Sequence, residues 1–204
     1  MARSCSTSVS SASRSRTEVA QRLRGALLDA EEAARLEVHG RVDAAVLVPL
    51  YLDGAALHAV FTRRRDDLRR HGGEISFPGG RQDEGEDLRL TALRESEEEI
   101  GLAAADVELI GALQPTPTIA TNYAVYPFVG LIEPGRSWRP SATEVAEVLE
   151  LPLHRLRAGY ARRRLLRRWV PFRTDVYCVD QHLIWGATAR IVADLLERVP
   201  DELQ

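Results

Sequence analysis

The sequence predicts an α/β sandwich with a mixed central β-sheet. Three observations carry that expectation. Short apolar runs bounded by turn residues read as strands. Segments of helical period flank those runs at both ends, and a third, acidic one interrupts them. The chain has 204 residues, 45% apolar and 28% charged, enough for a core of strands packed between helices and too apolar for wholesale disorder.

The elements follow in order. Residues 1–16 are Ser-rich, contain Arg, and lack acids and large apolar side chains, so a disordered tail is expected there. An organellar transit peptide has a similar composition. Residues 17–204 are expected to form one domain. From Thr17, a plausible N-cap, Val19, Leu23, Leu27, Ala30 and Ala34 recur at helical spacing, and Gly40 is a stop. Residues 44–52 read as a buried strand, Asp53-Gly54 as a turn and 56–64 as the returning strand. Residues 65–73 form a loop, and 74–77 a short strand ended by Pro78-Gly79-Gly80. A helix over 87–101 is capped by Asp87 and stopped by Gly101. Strands follow at 107–113, 123–132, 145–151 and 176–180, with a short helix at 152–159. The helix at 186–199 gathers Ile191, Val192, Leu195 and Leu196 on one side. Trp185 and Thr188 read as core and helix-start residues, and the Arg-rich run 160–169 as a solvated face.

Composition excludes several classes. No window approaches 18 uninterrupted apolar residues, so no membrane span is expected. A net charge of −3 argues against a nucleic-acid coat. Cys5 and Cys178 are too far apart for a CxxC zinc site and too few for a disulfide scaffold, so a cytoplasmic protein is the default. All 27 basic residues are Arg, which leaves no lysine for Schiff-base chemistry. Charge is uneven: residues 83–99 carry eight acids against two Arg, between Arg-rich runs at 63–70 and 155–168. A cation site beside an anion site is the chemical reading of that layout.

On the acidic helix Glu95, Glu98 and Glu99 fall at i, i+3 and i+4, so three carboxylates share one face. Carboxylates that close repel, and a hard divalent cation, Mg²⁺ or Mn²⁺, relieves the conflict. Arg94 and Glu98 form an i, i+4 pair able to hold one carboxylate in place. The spacing Gly80, Glu86, Arg94, Glu95, Glu98, Glu99, Gly101, Leu102 resembles the signature of the Nudix hydrolase superfamily, with Ser96 replacing a usual aliphatic residue. The resemblance covers roughly residues 40–200 and implies a Nudix-type α/β/α sandwich that hydrolyses diphosphates joined to another moiety. It implies Mg²⁺ or Mn²⁺ on Glu95, Glu98 and Glu99, with the Gly79 carbonyl as a further ligand and Glu86 reaching the metal through water. Glu95 or a downstream glutamate, Glu144 or Glu147, is then the candidate general base.

The segment before this helix resembles the motif of coenzyme A pyrophosphatases. Thr62, Arg64, Arg69, Gly73 and Phe77-Pro78-Gly79-Gly80 sit in register, while Phe61 replaces a usual Leu and Arg65 a usual Ser or Ala. Thr62 and Arg64 share a strand face by alternation, and arginine offers planar bidentate donors for phosphate. The resemblance implies cleavage of coenzyme A or its derivatives into 3′,5′-ADP and 4′-phosphopantetheine. Two alternatives stand beside it: a diphosphatase for ADP-ribose, NADH or another nucleotide derivative, and a non-catalytic nucleotide-sensing module. The expected partner is a small nucleotide, with no nucleic acid, no membrane, and a homodimer left open.

Overall fold

The computed structural model describes residues 15–67, 72–118, 122–167 and 170–203. Most of the expected tail therefore lies outside the described residues. Its last position, Arg16, opens α1 (Arg16–Ala26), and Ser15 caps that helix, accepting from the Glu18 amide at 3.3 Å, so Ser15 rather than Thr17 is the N-cap. The single N-terminal helix expected from the period is two. Leu28 leaves the helix to bridge Ala112, and Asp29 then caps a second short helix, α2 (Ala30–Ala34), by accepting from Glu31 and Glu32.

β1 (Val42–Asp53) and β2 (Ala56–Arg64) form the expected hairpin, with Gly54 supplying the positive φ of +60° that the turn requires. β3 (Ile75–Ser76) and β4 (Gly79–Arg81) are short strands leading into α3 (Leu88–Ile100). β5 (Glu108–Ala112), β6 (Thr116–Pro117), β7 (Tyr123–Leu131), β8 (Val145–Pro152) and α4 (Leu153–Ala158) follow. β9 (Tyr160–Arg167), β10 (Val170–Val179), β11 (His182–Trp185) and α5 (Gly186–Arg198) complete the regular elements.

The main sheet has the order β3-β2-β1-β7-β5, with β4 on β1, β6 on β7 and β8 on β2. It is mixed: β1 and β7 run parallel over nine pairs, Val42↔Tyr123 to Leu50↔Leu131, and the remaining pairings are antiparallel. A second, three-stranded sheet has the order β11-β10-β9. The Arg-rich run thus supplies a strand, although Arg162, Arg163 and Arg164 stay exposed as a solvated face would. β9 is an edge strand, where charged side chains discourage pairing with another chain.

Alternation along β1 splits the core between two layers. Val48 and Leu50 join Leu23, Phe61, Val129 and Leu195 on the α1 and α5 side. Ala45 and Leu47 join Ala92, Ile100 and Phe128 under α3. Helices on both faces of the sheet make the α/β/α sandwich, and the apolar stripe of α5 (Ile191, Val192, Leu195, Leu196) is buried as its period predicts. Among the described residues no helix is long and apolar enough to cross a membrane.

Candidate functional site

The site is built around the junction of β4 and α3. Asp87 caps α3 by accepting from the Arg89 amide at 2.8 Å, and Gly101 ends it in the left-handed region at φ +72°. Leu88, Ala92, Ser96 and Ile100 face the core. Ser96 fits there because it is small and its hydroxyl donates to the Ala92 carbonyl at 2.7 Å. This orientation turns Glu95 and Glu99 in towards β4. A Cβ on Gly80 would stand 2.4 Å from the Glu95 carboxyl carbon and would displace that carboxylate, while at Gly79 a Cβ would meet the Ala45 carbonyl at 2.3 Å. The Gly79 amide donates to Glu99 Oε2 at 3.3 Å.

The three predicted helix carboxylates occupy different environments. Glu99 is 5% exposed, and burial pushes its carboxyl up to about 7, against the Gly79 amide and Arg64 and with Glu95 and Glu144 adding repulsion. Glu95 is also raised, again mainly by burial, with Arg94 opposing. Glu98 turns outward and meets Arg94 at 3.5 Å.

Two arginines hold the acids. Arg94 donates to both oxygens of Glu86 at 2.9 and 3.0 Å and to Glu95 at 2.9 Å. Glu86 also accepts from Thr91 at 2.7 Å and from the Asp83 amide at 3.2 Å. Arg94 and these partners draw its carboxyl down to about 2. Arg64 stands 3.7 Å from Glu99 and 3.8 Å from Glu144. Among the described residues its buried Nε has no hydrogen-bond partner. Glu144 reaches this place from a tied-down loop: the Ser141 amide donates to the Glu99 carbonyl at 2.8 Å and the Arg65 amide to the Glu144 carbonyl at 3.0 Å.

Other predicted residues lie elsewhere. Glu147 pairs with Arg63 at 3.2 Å. Thr62 is buried, with its hydroxyl 3.3 Å from that of Ser76, and Phe77 stacks on Phe61 at 4.4 Å in the core. Gly73 shapes the preceding loop at φ +74°, where a Cβ would meet Asp66. Arg65 is engaged by Asp67 at 2.8 Å. Arg69 and His71 lie outside the described residues.

Arg64, Gly79 and Gly80 line a cavity of about 880 Å³, within the usual range for small-molecule sites. Its other wall contains Phe172, Trp185 and Arg190, which the sequence reading did not assign to a site. Trp185 is half-buried on that wall and not in the core. In the sequence Trp185 stands just before a helix, a place that reads equally well as packing.

The donor set suits a hard divalent cation. Glu95 and Glu99 are carboxylates whose charge burial disfavours, beside a third acid, Glu144, that adds to the repulsion. Among the described residues no three acids, histidines or cysteines already converge as a metal cage. Arg94 on Glu86 and Glu95, and Arg64 on Glu99 and Glu144, supply positive charge in this arrangement.

The NUDIX domain family matches residues 41–170. The chain is 38% identical over 159 residues to a Photorhabdus laumondii protein described as uncharacterized Nudix hydrolase NudL, covering 76% of this chain and 84% of that one. It is 35% identical over 167 residues to a protein of the same description from Pectobacterium atrosepticum, covering 80% and 86%. Among solved structures, the M. smegmatis Nudix hydrolase RenU aligns with TM-score 0.50 and 19% identity over 64% of this chain and 81% of that one. An Enterococcus faecalis MutT/nudix family protein aligns with TM-score 0.50 and 15% identity over 91% and 73%. These two likenesses concern the fold alone. With a Nudix-type sandwich, the acidic helix in its place behind a glycine strand, and a family match spanning most of the chain, this protein belongs to the Nudix hydrolase family.

Proposed function

We propose that the protein is a divalent-metal-dependent diphosphatase that cleaves coenzyme A or a close derivative. One observation carries the reading: buried Glu99 meets Arg64, with half-buried Glu95 against Gly80, at the edge of a cavity large enough for a nucleotide. In the hydrolysis, water attacks one phosphorus, the bridging P–O–P bond breaks, and two phosphate monoesters leave, 3′,5′-ADP and 4′-phosphopantetheine.

Glu95, Glu98 and Glu99 would hold Mg²⁺ or Mn²⁺, with the Gly79 carbonyl alongside and Glu86 at one remove through water. The bound ion would neutralise diphosphate oxygens and lower the pKa of an attacking water. Arg94 orients the acids: Glu86 fixes its guanidinium, and the guanidinium fixes Glu95. Arg64 releases its long contacts with Glu99 and Glu144 to bind a diphosphate oxygen, an exchange its unpartnered Nε favours. Glu144, about half-exposed and adjacent, accepts the proton from water. Arg69 and Gly73 serve the phosphates, while Thr62 and Phe77 act by supporting β2 and β3. The free thiol of Cys178 accords with a cytoplasmic location.

The test is a panel of coenzyme A, dephospho-coenzyme A, ADP-ribose and NADH with Mg²⁺ or Mn²⁺ and product analysis. Coenzyme A should be the best substrate. Far faster cleavage of ADP-ribose or NADH would remove the substrate assignment, and no turnover of any of the four would favour the sensing alternative.

A further inference from the structure

The acidic centre leaves half of the cavity unexplained. The near wall holds Arg64, Gly79 and Gly80, whereas the far wall comes from β10, the end of β11 and the first turns of α5. About 880 Å³ is far more room than a diphosphate needs and suits a ligand of nucleotide size.

The far wall has two chemical features. Phe172 and Trp185 form a tilted ring pair, with centroids 6.3 Å apart and planes at 50°. Both are half-buried. Such a pair offers ring surface on which a further aromatic ring can stack. The second feature is unpaired positive charge. Arg190 reaches solvent at the wall and donates to the Pro117 carbonyl. The protein around it lowers its pKa by desolvation alone, with no carboxylate offsetting the effect. Arg162 and Arg173 also line the wall and form no ion pair among the described residues. The arginines of neighbouring α4 differ, since Arg155 pairs with Asp180 and Arg157 with Asp201. Glu74 and Asp175 also line the cavity, Asp175 opposite Arg162 and accepting from the Tyr160 hydroxyl. Arg173 and Arg190 form no ion pair among the described residues, and such guanidiniums beside an aromatic pair match a nucleotide bearing a terminal phosphate monoester.

We infer that this far wall is the subsite for the nucleotide end of the substrate, with the base against Phe172 and Trp185 and a phosphate monoester on Arg190. The inference rests on the diphosphatase reading for its choice of ligand, and it adds the residues that distinguish a nucleotide carrying a second phosphate from one without it.

The experiment measures binding by calorimetry, without divalent metal, of adenosine 3′,5′-bisphosphate and of 5′-AMP. Neither contains a diphosphate bond. Arg190→Ala should raise the Kd of the bisphosphate about tenfold or more and leave that of 5′-AMP within about twofold. Phe172→Leu should weaken both ligands by roughly three- to tenfold. Melting curves establish that each variant is folded. Failure of the wild-type protein to bind the bisphosphate overturns the inference. So does an Arg190→Ala variant that weakens neither ligand or both equally, or a Phe172→Leu variant that binds both normally. Coenzyme A turnover by the wild-type protein is followed in parallel. If the binding pattern appears without coenzyme A cleavage, the subsite stands and the diphosphatase reading falls. If coenzyme A is cleaved while Arg190→Ala binds like wild type, the subsite alone falls.

Discussion

At the scale of single residues, Glu99 is a carboxylate kept out of water and held by one amide and one distant guanidinium. Its carboxyl, raised to about 7, binds a proton in the folded protein that the unfolded chain, near its ordinary value, has already lost. In metal-free protein this group therefore subtracts stability as pH rises from about 4.5 to about 7, by on the order of 3 kcal/mol. Glu99→Gln should raise the metal-free Tm at pH 8 and have little effect at pH 5. Melting curves with chelator at both pH values decide it, and an equal shift at each would remove the account. Glu98→Gln and Glu99→Gln should each lower kcat by at least about 100-fold, roughly 2.7 kcal/mol of barrier. Near-normal turnover at saturating metal would contradict the ligand assignment. The helical spacing of Glu95, Glu98 and Glu99 made these acids legible in the sequence. What spacing along a helix does not reveal is depth: Glu99 is buried, Glu98 reaches solvent, and that difference is set by β4 packing on one side. The meeting of Arg64 with Glu99, 35 positions later, was likewise beyond a local reading.

At the scale of elements, α3 is the part most completely written in the local sequence. Its cap, stop, buried stripe and small Ser96 agree with one another. Asp87 accepts from the Arg89 amide and also pairs with its guanidinium at 2.8 Å. Asp87→Ala should cost about 1 kcal/mol, a Tm loss of about 2–4 °C, with Asp87→Asn recovering most of it. Differential scanning calorimetry reads this directly; no loss for the Ala variant would show that neither the cap nor the Arg89 pair holds the helix start, and an Asn variant as unstable as Ala would give the loss to the ion pair and not to the cap. β9 was the least legible element. Its run of arginines has neither the apolar alternation nor the β-branched content that marks strands. Among the described residues it pairs with β10 alone, so the partner strand defines it. The break between α1 and α2 was present locally as Asp29 ahead of Glu31 and Glu32, but the apolar period ran through it. The bridge from Leu28 to Ala112 decided the outcome.

At the scale of the whole molecule, the order of layers was legible and the cavity was not, because its two walls come from segments about a hundred positions apart. The N-terminus gives a test of where the folded body starts. Arg16 contacts Glu108 at 3.3 Å and also pairs with Glu133, while Ser15 caps α1. Removing residues 1–14 should leave Tm unchanged, whereas removing 1–16 should lower it by about 2–5 °C, mostly through the lost cap. Equal melting of the two truncations would show that Ser15 and Arg16 are dispensable.

The nine-pair parallel ladder between β1 and β7 has a consequence for the order of assembly. It joins residues 42–50 to 123–131, and β4 and α3 lie wholly inside the loop it closes. Closing so long a loop is entropically costly before any pairing is gained, so the ladder is a high-contact-order step. During synthesis, β1 must wait until residue 131 has left the ribosome. Glu144 emerges later still. The acids of α3 can form their helix early, but they acquire their buried setting only when most of the chain is available. A ribosome stalled before residue 131 would therefore present the acidic helix without its site, exposed to solvent and to any cation on equal terms with the rest of the nascent chain.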